Sequence, residues 1–504
     1  MFIRSALSFK IRNACIIDTG HGFSCDRRYF KLKTLLTSRD LRLNQQIIFD
    51  AELLRRYDKS GPRYTSYPTA VQFHTKFIET DYRAWAKRTN ETSPPRPLSL
   101  YFHLPFCDTV CFYCGCNKVV TKDRKRAAPY LDRLHREIAM QGELFDRARV
   151  VEQLHWGGGT PTFISHEEIQ ELMNVTREHF RLRDDDLGEY GIEVDPREVR
   201  PETLALLRSV GFNRLSMGVQ DFEPVVQKAV NRIQSEAETF AVLTQARALG
   251  FRSISMDLIY GLPHQTVESF GRTLDKIIGA GPDRLSVFNY AHLPEMFKPQ
   301  RRIRAEDLPS PQEKLNILQL TIERLTQAGY VYIGMDHFAR PDDELAVAQR
   351  NGTLYRNFQG YSTHAECDLV AMGMTAIGMV GDCYSQNQKT MDDYFAALDA
   401  GHLPVMRGIT LEMDDKLRRA IITQLICHFA LDLSAVERAH GIRFADYFAA
   451  ELPELKVMQQ DGLIEMDAES IRVQPAGKLL IRNICMVFDR YLRAKQEKRY
   501  SKVI

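Results

Sequence analysis

The stretch Leu98–Asn117, LSLYFHLPFCDTVCFYCGCN, is the one that the remainder of the chain serves. Leu98–Leu104 is an apolar run that predicts a buried strand, and Pro105, which has no N–H to give to a ladder, ends it. Directly beyond stand Cys107, Cys111 and Cys114, with Cys116 separated from Cys114 by a single residue. Thiolates packed this densely on a loop are metal ligands far more often than a packing accident.

Counting ligands narrows the metal. A closed zinc site needs four ligands with tetrahedral reach. Cys114 and Cys116 make a poor chelate pair, and no C-x2-C partner follows downstream. Ferredoxin runs space four cysteines differently and fill every iron. Three cysteines at x3 and x2 suit a [4Fe-4S] cluster with one iron left free for a ligand.

From Leu98 to about Phe338 apolar runs recur at 98–104, 153–156, 190–194, 214–219, 253–259, 284–290 and 331–335. Helix-period segments separate most of them: 127–147, 166–180, 237–250, 266–280 and 311–329. Alternating strand and helix means a parallel sheet with right-handed connections, open or closed into a barrel. The unusual residues gather at one end of these strands. Gly157-Gly158-Gly159-Thr160 follows the second, Glu193-Val194-Asp195 ends the third and Gln220 the fourth; Asp257 lies in the fifth and Ala291 follows the sixth. In such sheets chemistry sits outside the carboxyl ends of the strands, so these residues predict an active-site rim.

The Cys-x3-Cys-x2-Cys loop after a first strand, with Tyr113 as the aromatic before the last cysteine, resembles the radical S-adenosylmethionine superfamily. Cys116-Asn117 adds a resemblance to its oxygen-independent coproporphyrinogen III oxidase (dehydrogenase) family, from about Asp50 to the C-terminus. The resemblance implies a partial (β/α)6 barrel and a [4Fe-4S] cluster on Cys107, Cys111 and Cys114. It implies that Gly157, Gly158, Gly159 and Thr160 receive the amino group of S-adenosylmethionine, and that Glu193 bonds its cationic end. Gln220, Arg232, Asp257 and Ala291 match positions that contact this cofactor, some of them a second molecule of it; Tyr101, Tyr113, Phe358 and Ile377 match others. Tyr113 departs mildly from a position where the family often has Phe. The implied reaction turns two propionates of coproporphyrinogen III into vinyl groups, through a 5′-deoxyadenosyl radical that takes a hydrogen from each β-carbon. Haem chaperones of the same family typically lack both the fourth cysteine and the GPRYTSYP segment, here Gly61–Pro68. An electron carrier would need neither a barrel nor a glycine rim, and a radical methyltransferase would not match across the family's whole length.

At 504 residues two domains are expected, and 44% apolar with 26% charged residues is the composition of an ordinary soluble protein. No run approaches the roughly 18 uncharged apolar residues of a membrane span. Ten cysteines, four of them clustered, fit a reducing cytoplasm. The net charge of +2 hides a basic lead: 1–45 carries nine Lys/Arg against three Asp/Glu, which leaves 58 against 62 beyond it. It reads as a disordered or spurious extension. Residues 46–96 form an N-terminal segment near the active-site mouth, 97–340 the barrel, and 341–504 a mainly helical cover domain with a small β-hairpin near 462–473. Arg63, Tyr64 and Tyr67 are candidates for holding substrate carboxylates. The neighbourhood of Arg232 is another, since a tetracarboxylate calls for bidentate arginines. Residues 339–364, with Arg340, Arg350 and Arg356, read as a polar loop or domain linker, within which the resemblance places RNFQGY, Arg356–Tyr361, at the boundary facing the cofactors. The C-terminal helices and wing suggest a winged helix, but no dense basic recognition helix accompanies them, so no nucleic-acid partner is expected. The expected partners are coproporphyrinogen III and a low-potential donor such as flavodoxin or ferredoxin; the chain is expected to be a monomer.

Overall fold

A computed structural model describes residues 46–494; the basic lead, with Cys15 and Cys25, lies outside the described residues. Six strands run parallel in chain order: β1 Leu98–Leu104, β2 Val150–Gly158, β3 Glu189–Val194, β4 Arg214–Gln220, β5 Ser253–Tyr260 and β6 Arg284–Asn289. Between them lie α1 Ala128–Gly142, α2 His166–His179, α3 Pro201–Ser209, α4 Glu236–Ala248 and α5 Val267–Ala280, and α6 Pro311–Gln327 follows β6. This is the partial (β/α)6 barrel that the sequence implies. Reciprocal caps start α2 (Ser165 with Glu168) and α4 (Ser235 with Glu238), and Gly281 at φ 64° ends α5 in the left-handed region. The nine-residue α3, opened by Pro201, is too short to show a period and went unpredicted.

The parallel strands are not uniformly apolar. Their residues alternate, as strand geometry requires, between two unlike faces. Phe102, Leu154, Trp156, Ile192, Met217 and Met256 belong to the core that the helices cover. The alternate positions Gln153, His155, Glu193, Ser216, Asp257 and Ser286 line an internal cavity of about 230 Å³. An ordinary parallel sheet, buried on both faces, has no use for such polarity. A barrel that holds a polar ligand does.

The seventh apolar run corrects the expected order. β7 Val331–Gly334 turns through Met335 and Asp336 into β8 His337–Ala339, and β8 pairs antiparallel with β6. A two-residue turn can only make an antiparallel pair. On the opposite edge the sheet passes through the boundary expected at 340/341. β9 Asp368–Met372 lies parallel to β1, followed antiparallel by β10 Ile377–Val380, β11 Cys383–Asn387 and β12 Val405–Thr410. Residues 341–410 therefore carry more strand than helix, and the mainly helical character belongs to 411–494. There α7 Met413–His428 and shorter helices pack on a three-stranded wing, Ala430–Asp432, Ser470–Val473 and Ile464–Met466, one strand more than the expected hairpin. Tyr64 donates from its hydroxyl to Asp489 (3.0 Å), and the Tyr67 hydroxyl accepts from the Arg490 N–H (3.1 Å). Both rings are buried, so these tyrosines anchor the N-terminal segment on the C-terminal helices and are not free to hold a substrate.

Arg149 and Asp368, both fully buried, pair at the junction of β1, β2 and β9. Arg149 also donates to the Arg96 carbonyl (2.7 Å) and Thr89 Oγ1 (2.8 Å), and Asp368 accepts from the Gly381 N–H (2.9 Å). Asp368→Leu should cost about 3–5 kcal/mol by stranding the guanidinium, whereas Arg149→Met/Asp368→Leu should restore most of it. Thermal midpoints of the apoprotein check this; a double variant no more stable than the single would contradict it.

Candidate active site

The cysteine loop is tied to the barrel by backbone. Phe106–Cys107 pairs in parallel with Val119–Val120, and the Thr121 N–H donates to the Cys107 carbonyl (2.9 Å). From β2's end, the Gly159 N–H donates to the Leu104 carbonyl (2.8 Å) and the Thr160 N–H to the Phe106 carbonyl (2.7 Å). From the loop after β4, the Val230 carbonyl accepts from the Phe112 N–H (2.9 Å), and Asn231 donates to the Val110 carbonyl (2.8 Å). A Cβ on Gly159 would stand 2.5 Å from the Phe106 carbonyl oxygen and 2.7 Å from the Pro105 carbonyl carbon. The bare backbone is what allows the loop to sit there.

Each of the three sulfurs has its own neighbour. Thr160 Oγ1 donates toward Cys107 (3.7 Å), Arg232 Nη1 toward Cys111 (3.7 Å) and the Cys116 N–H toward Cys114 (3.4 Å). Burial pushes the Cys107 thiol up to about 11, against the Thr160 hydrogen bond. The Cys116 thiol's hydrogen bond, helped by Lys118, holds the Cys114 thiol low. On one tetrahedral zinc, at Zn–S ~2.3 Å, thiolates stand ~3.8 Å apart. Among the described residues only His364, Glu366 and Cys367 bring three ligand atoms within 4.8 Å of one another. The sulfurs of Cys107, Cys111 and Cys114 are spread too widely for a single ion. They fit a cluster whose irons each take one thiolate.

Across from the loop, β2 ends in Gly157 and Gly158. A Cβ on Gly157 would lie 2.9 Å from Glu193 Oε1, and one on Gly158, at φ 115°, 2.7 Å from the His103 ring. Glu193 accepts from the Gly158 N–H (3.3 Å) and faces His155 Nε2 (3.4 Å). Burial opposes its ionisation, but His155, the Gly158 N–H and His103 outweigh burial and hold its pKa below the usual range. Asp257 takes the opposite course: burial, with Glu193's charge nearby, pushes it up to about 6 against the hydrogen bonds of Ser286 and Ser216. Gln220 sits at φ 68° with its Oε1 buried and without a hydrogen-bond partner among the described residues. Arg232 is committed to Asp195 (3.0 Å), the Gly218 carbonyl (2.7 Å) and Cys111. Asp195 also pairs with Arg197, and Arg232 Nε is buried without a hydrogen-bond partner among the described residues, so this neighbourhood keeps an unanswered donor.

The remaining predicted contacts fall into two apolar groups. Tyr101, Phe358 and Ile377 meet around Phe73 and Tyr384. The Tyr101 ring stacks on His155, 6.0 Å between centroids, and its hydroxyl reaches His103 Nδ1 (3.2 Å). Tyr113 packs against the group formed by Val226, Val230, Leu262 and Tyr290, and half-buried Ala291 follows Tyr290 in the chain. His103 and His155 were not singled out from sequence, whereas Asp195 was named only as part of the rim. Their signal was the two-residue period: Tyr101 and His103, Gln153 and His155, Glu193 and Asp195 share one strand face each.

Residues 101–277 match the Radical SAM superfamily, and residues 411–480 match the HemN C-terminal domain. With the cysteine loop and the partial barrel, these matches define a radical S-adenosylmethionine enzyme. The oxygen-independent coproporphyrinogen III oxidase of Pseudomonas aeruginosa is 57% identical over 458 residues, 91% of this chain and 99% of that protein. Its Escherichia coli counterpart is 54% identical over 461 residues, with the same two shares. The solved structure of coproporphyrinogen III oxidase (HemN) from Escherichia coli superposes with a TM-score of 0.85 at 53% identity, covering 89% of this chain and 100% of that one. The chain belongs to the oxygen-independent coproporphyrinogen III oxidase family. As such it uses a [4Fe-4S] cluster and S-adenosylmethionine.

Two outcomes follow from this geometry. Gly159→Ala should push the cysteine loop off β2 and lower the iron bound after anaerobic reconstitution; full iron content would contradict the backbone contact. Asp257, raised when folded, holds a proton between about pH 4 and 6 that the unfolded chain releases, so it costs stability as pH rises through that window. Asp257→Asn should therefore raise the apoprotein's thermal midpoint over wild type at about pH 7.5 and lose that advantage near about pH 4. A pH-independent offset would refute the assignment.

Proposed function

We propose that this chain carries out the anaerobic oxidative decarboxylation of two propionate side chains of coproporphyrinogen III, giving the vinyl groups of protoporphyrinogen IX in porphyrin (haem) biosynthesis. The observation that carries this reading is the cysteine loop bonded through its backbone to the glycine rim over a polar barrel interior, in a chain matched over 91% of its length by oxidases of that name. Cys107, Cys111 and Cys114 would hold the cluster, which together with S-adenosylmethionine supplies a carbon radical able to take a hydrogen atom from an unactivated C–H bond. For each propionate, one hydrogen atom leaves the β-carbon, one further electron passes to an acceptor, and CO2 departs as the double bond forms.

The chain's own residues do the rest. The bare backbone of Gly157 to Thr160 and the ionised Glu193 receive the ammonium end of the cofactor. Tyr101, Phe358 and Ile377 form the apolar wall beside it. Gln220, Arg232, Asp257 and Ala291 complete the binding of S-adenosylmethionine, and their spread over β4 to β6 supports room for a second molecule, as two propionates treated in turn would require. The hairpin Tyr355–Asn357/Gly360–Ser362 and the N-terminal segment cover the mouth and keep water out. Cys116, exposed, shapes the Cys114 thiol and is not a ligand. The electron donor is a low-potential carrier such as flavodoxin or ferredoxin. The protein works in the cytoplasm as a monomer, without nucleic acid; no helix among the described residues is long and apolar enough to cross a membrane.

The test is an anaerobic assay of the reconstituted protein with coproporphyrinogen III, S-adenosylmethionine and a low-potential reductant. Protoporphyrin with matching 5′-deoxyadenosine is expected from wild type and from Cys116→Ala. Cys107→Ala, Cys111→Ala and Cys114→Ala should each lose the cluster's visible absorbance and the activity together. Deoxyadenosine without protoporphyrin would keep the chemistry and discard the substrate.

A further inference from the structure

Arg356 stands in the short strand Tyr355–Asn357 with 7% of its surface exposed and its guanidinium 4.7 Å from the Tyr361 ring centroid. Among the described residues its Nε and Nη1 have no hydrogen-bond partner. A buried cation is ordinarily paired or fully hydrogen-bonded, because desolvating it is otherwise too costly. The same holds for its surroundings: Gln359 Nε2 and His337 Nδ1 are also buried without partners. Gln359, His337, Tyr361 and Phe288 line the internal cavity that Glu193 and Asp257 share. The turn of the hairpin that carries Arg356 places Phe358 on the apolar wall with Tyr101, so one small element borders both regions.

The charges nearby do not balance. Arg63 lies over the Phe288 ring (6.0 Å) and pairs with Asp336 (3.1 Å). Arg482 donates to the Pro62 carbonyl (3.1 Å) and feels the fields of Arg63, Arg356 and Asp336. Asp336 answers Arg63, and no carboxylate among the described residues lies within ion-pair distance of Arg356. Arg284, the next cation along, is committed to Asp343 (2.9 Å). Burial, then the charges of Arg356, Arg63 and Arg284, push the His337 imidazole down to about 3, so it is neutral and adds no positive charge.

We propose that Arg356, with Gln359 Nε2 on the turn of the same hairpin and Arg63 reinforcing the field, binds a propionate carboxylate of the substrate and sets the orientation of the tetrapyrrole in the barrel. This rests on the function given above. A guanidinium with two free N–H directions matches a carboxylate fork, and an amide N–H supplies a further donor. The amino-acid carboxylate of S-adenosylmethionine shares this chemistry, and the two sources separate in kinetics.

The experiment compares wild type, Arg356→Gln and Arg356→Lys as full-length, cluster-loaded protein, measuring iron content and KM for each substrate. Arg356→Gln should raise KM for coproporphyrinogen III about tenfold or more, with Arg356→Lys between it and wild type, because charge without the fork recovers part of the contact. Iron content and KM for S-adenosylmethionine should not move. An unchanged porphyrinogen KM, or a rise in KM for S-adenosylmethionine instead, would overturn the assignment. Should Arg356→Gln lose its iron, Arg356→Lys decides: a raised porphyrinogen KM with iron intact supports the subsite, and an unchanged one, or loss of iron here too, refutes it. A wild type that cleaves S-adenosylmethionine without consuming the porphyrinogen overturns both this inference and the function it rests on. An active wild type with an unaffected Arg356→Gln overturns the inference alone.

Discussion

Everything at the catalytic end of this molecule depends on two strand ends being bonded to each other through backbone. The Gly159 and Thr160 N–H groups reach the carbonyls of Leu104 and Phe106, and that contact fixes where the cysteines stand relative to the barrel. Side chains could not do this as well. They would add rotamer freedom at the point where three sulfurs must be held in one arrangement. The two strands bring unlike things to the junction: β1 delivers the thiolates, and β2 delivers bare backbone with Glu193 and His155 behind it. Under the function proposed above, a cluster and the cationic end of its ligand would stand side by side there without any long flexible arm.

The barrel's second constraint is its polar interior. Tyr101, His155, Glu193, Ser216 and Asp257 occupy inward positions while Phe102, Trp156, Ile192, Met217 and Met256 pack outward. The outward set alone drives folding by apolar burial. The inward set is satisfied in part by mutual hydrogen bonds; among the described residues Gln220 Oε1 and two nitrogens of Arg356 are buried without a partner. Opposite pKa displacements of two carboxylates that face one cavity, Glu193 down and Asp257 up, mark the same division of labour.

The sequence disclosed the parts whose chemistry is local. Three cysteines within eight residues of loop, glycines after a strand and an acid at a strand end can be read without tertiary context. So can strands and helices long enough to show a period. What escaped was non-local or short. β9 Asp368–Met372 is five residues long and pairs with β1 across some 270 residues of chain, a partnership that no local pattern announces. Tyr64 and Tyr67 looked like binding residues because the resemblance puts their segment near the active-site mouth, yet their hydroxyls are spent on Asp489 and Arg490. Arg356 looked like one loop arginine among several. Only its burial, and the lack of partners at two of its nitrogens, sets it apart. The alternation that would have exposed His103 and His155 was present in the sequence, hidden by the expectation that parallel strands are apolar throughout.

The central claim is that a hydrogen atom leaves a propionate β-carbon of the porphyrinogen in a site built from the cysteine loop and the glycine rim. The most direct measurement is anaerobic turnover with coproporphyrinogen III deuterated at the propionate β-carbons, followed by mass analysis of the 5′-deoxyadenosine formed. Deuterium appearing in 5′-deoxyadenosine, in step with the vinyl groups made, is the predicted result. Protoporphyrinogen formed alongside deuterium-free 5′-deoxyadenosine would contradict the account.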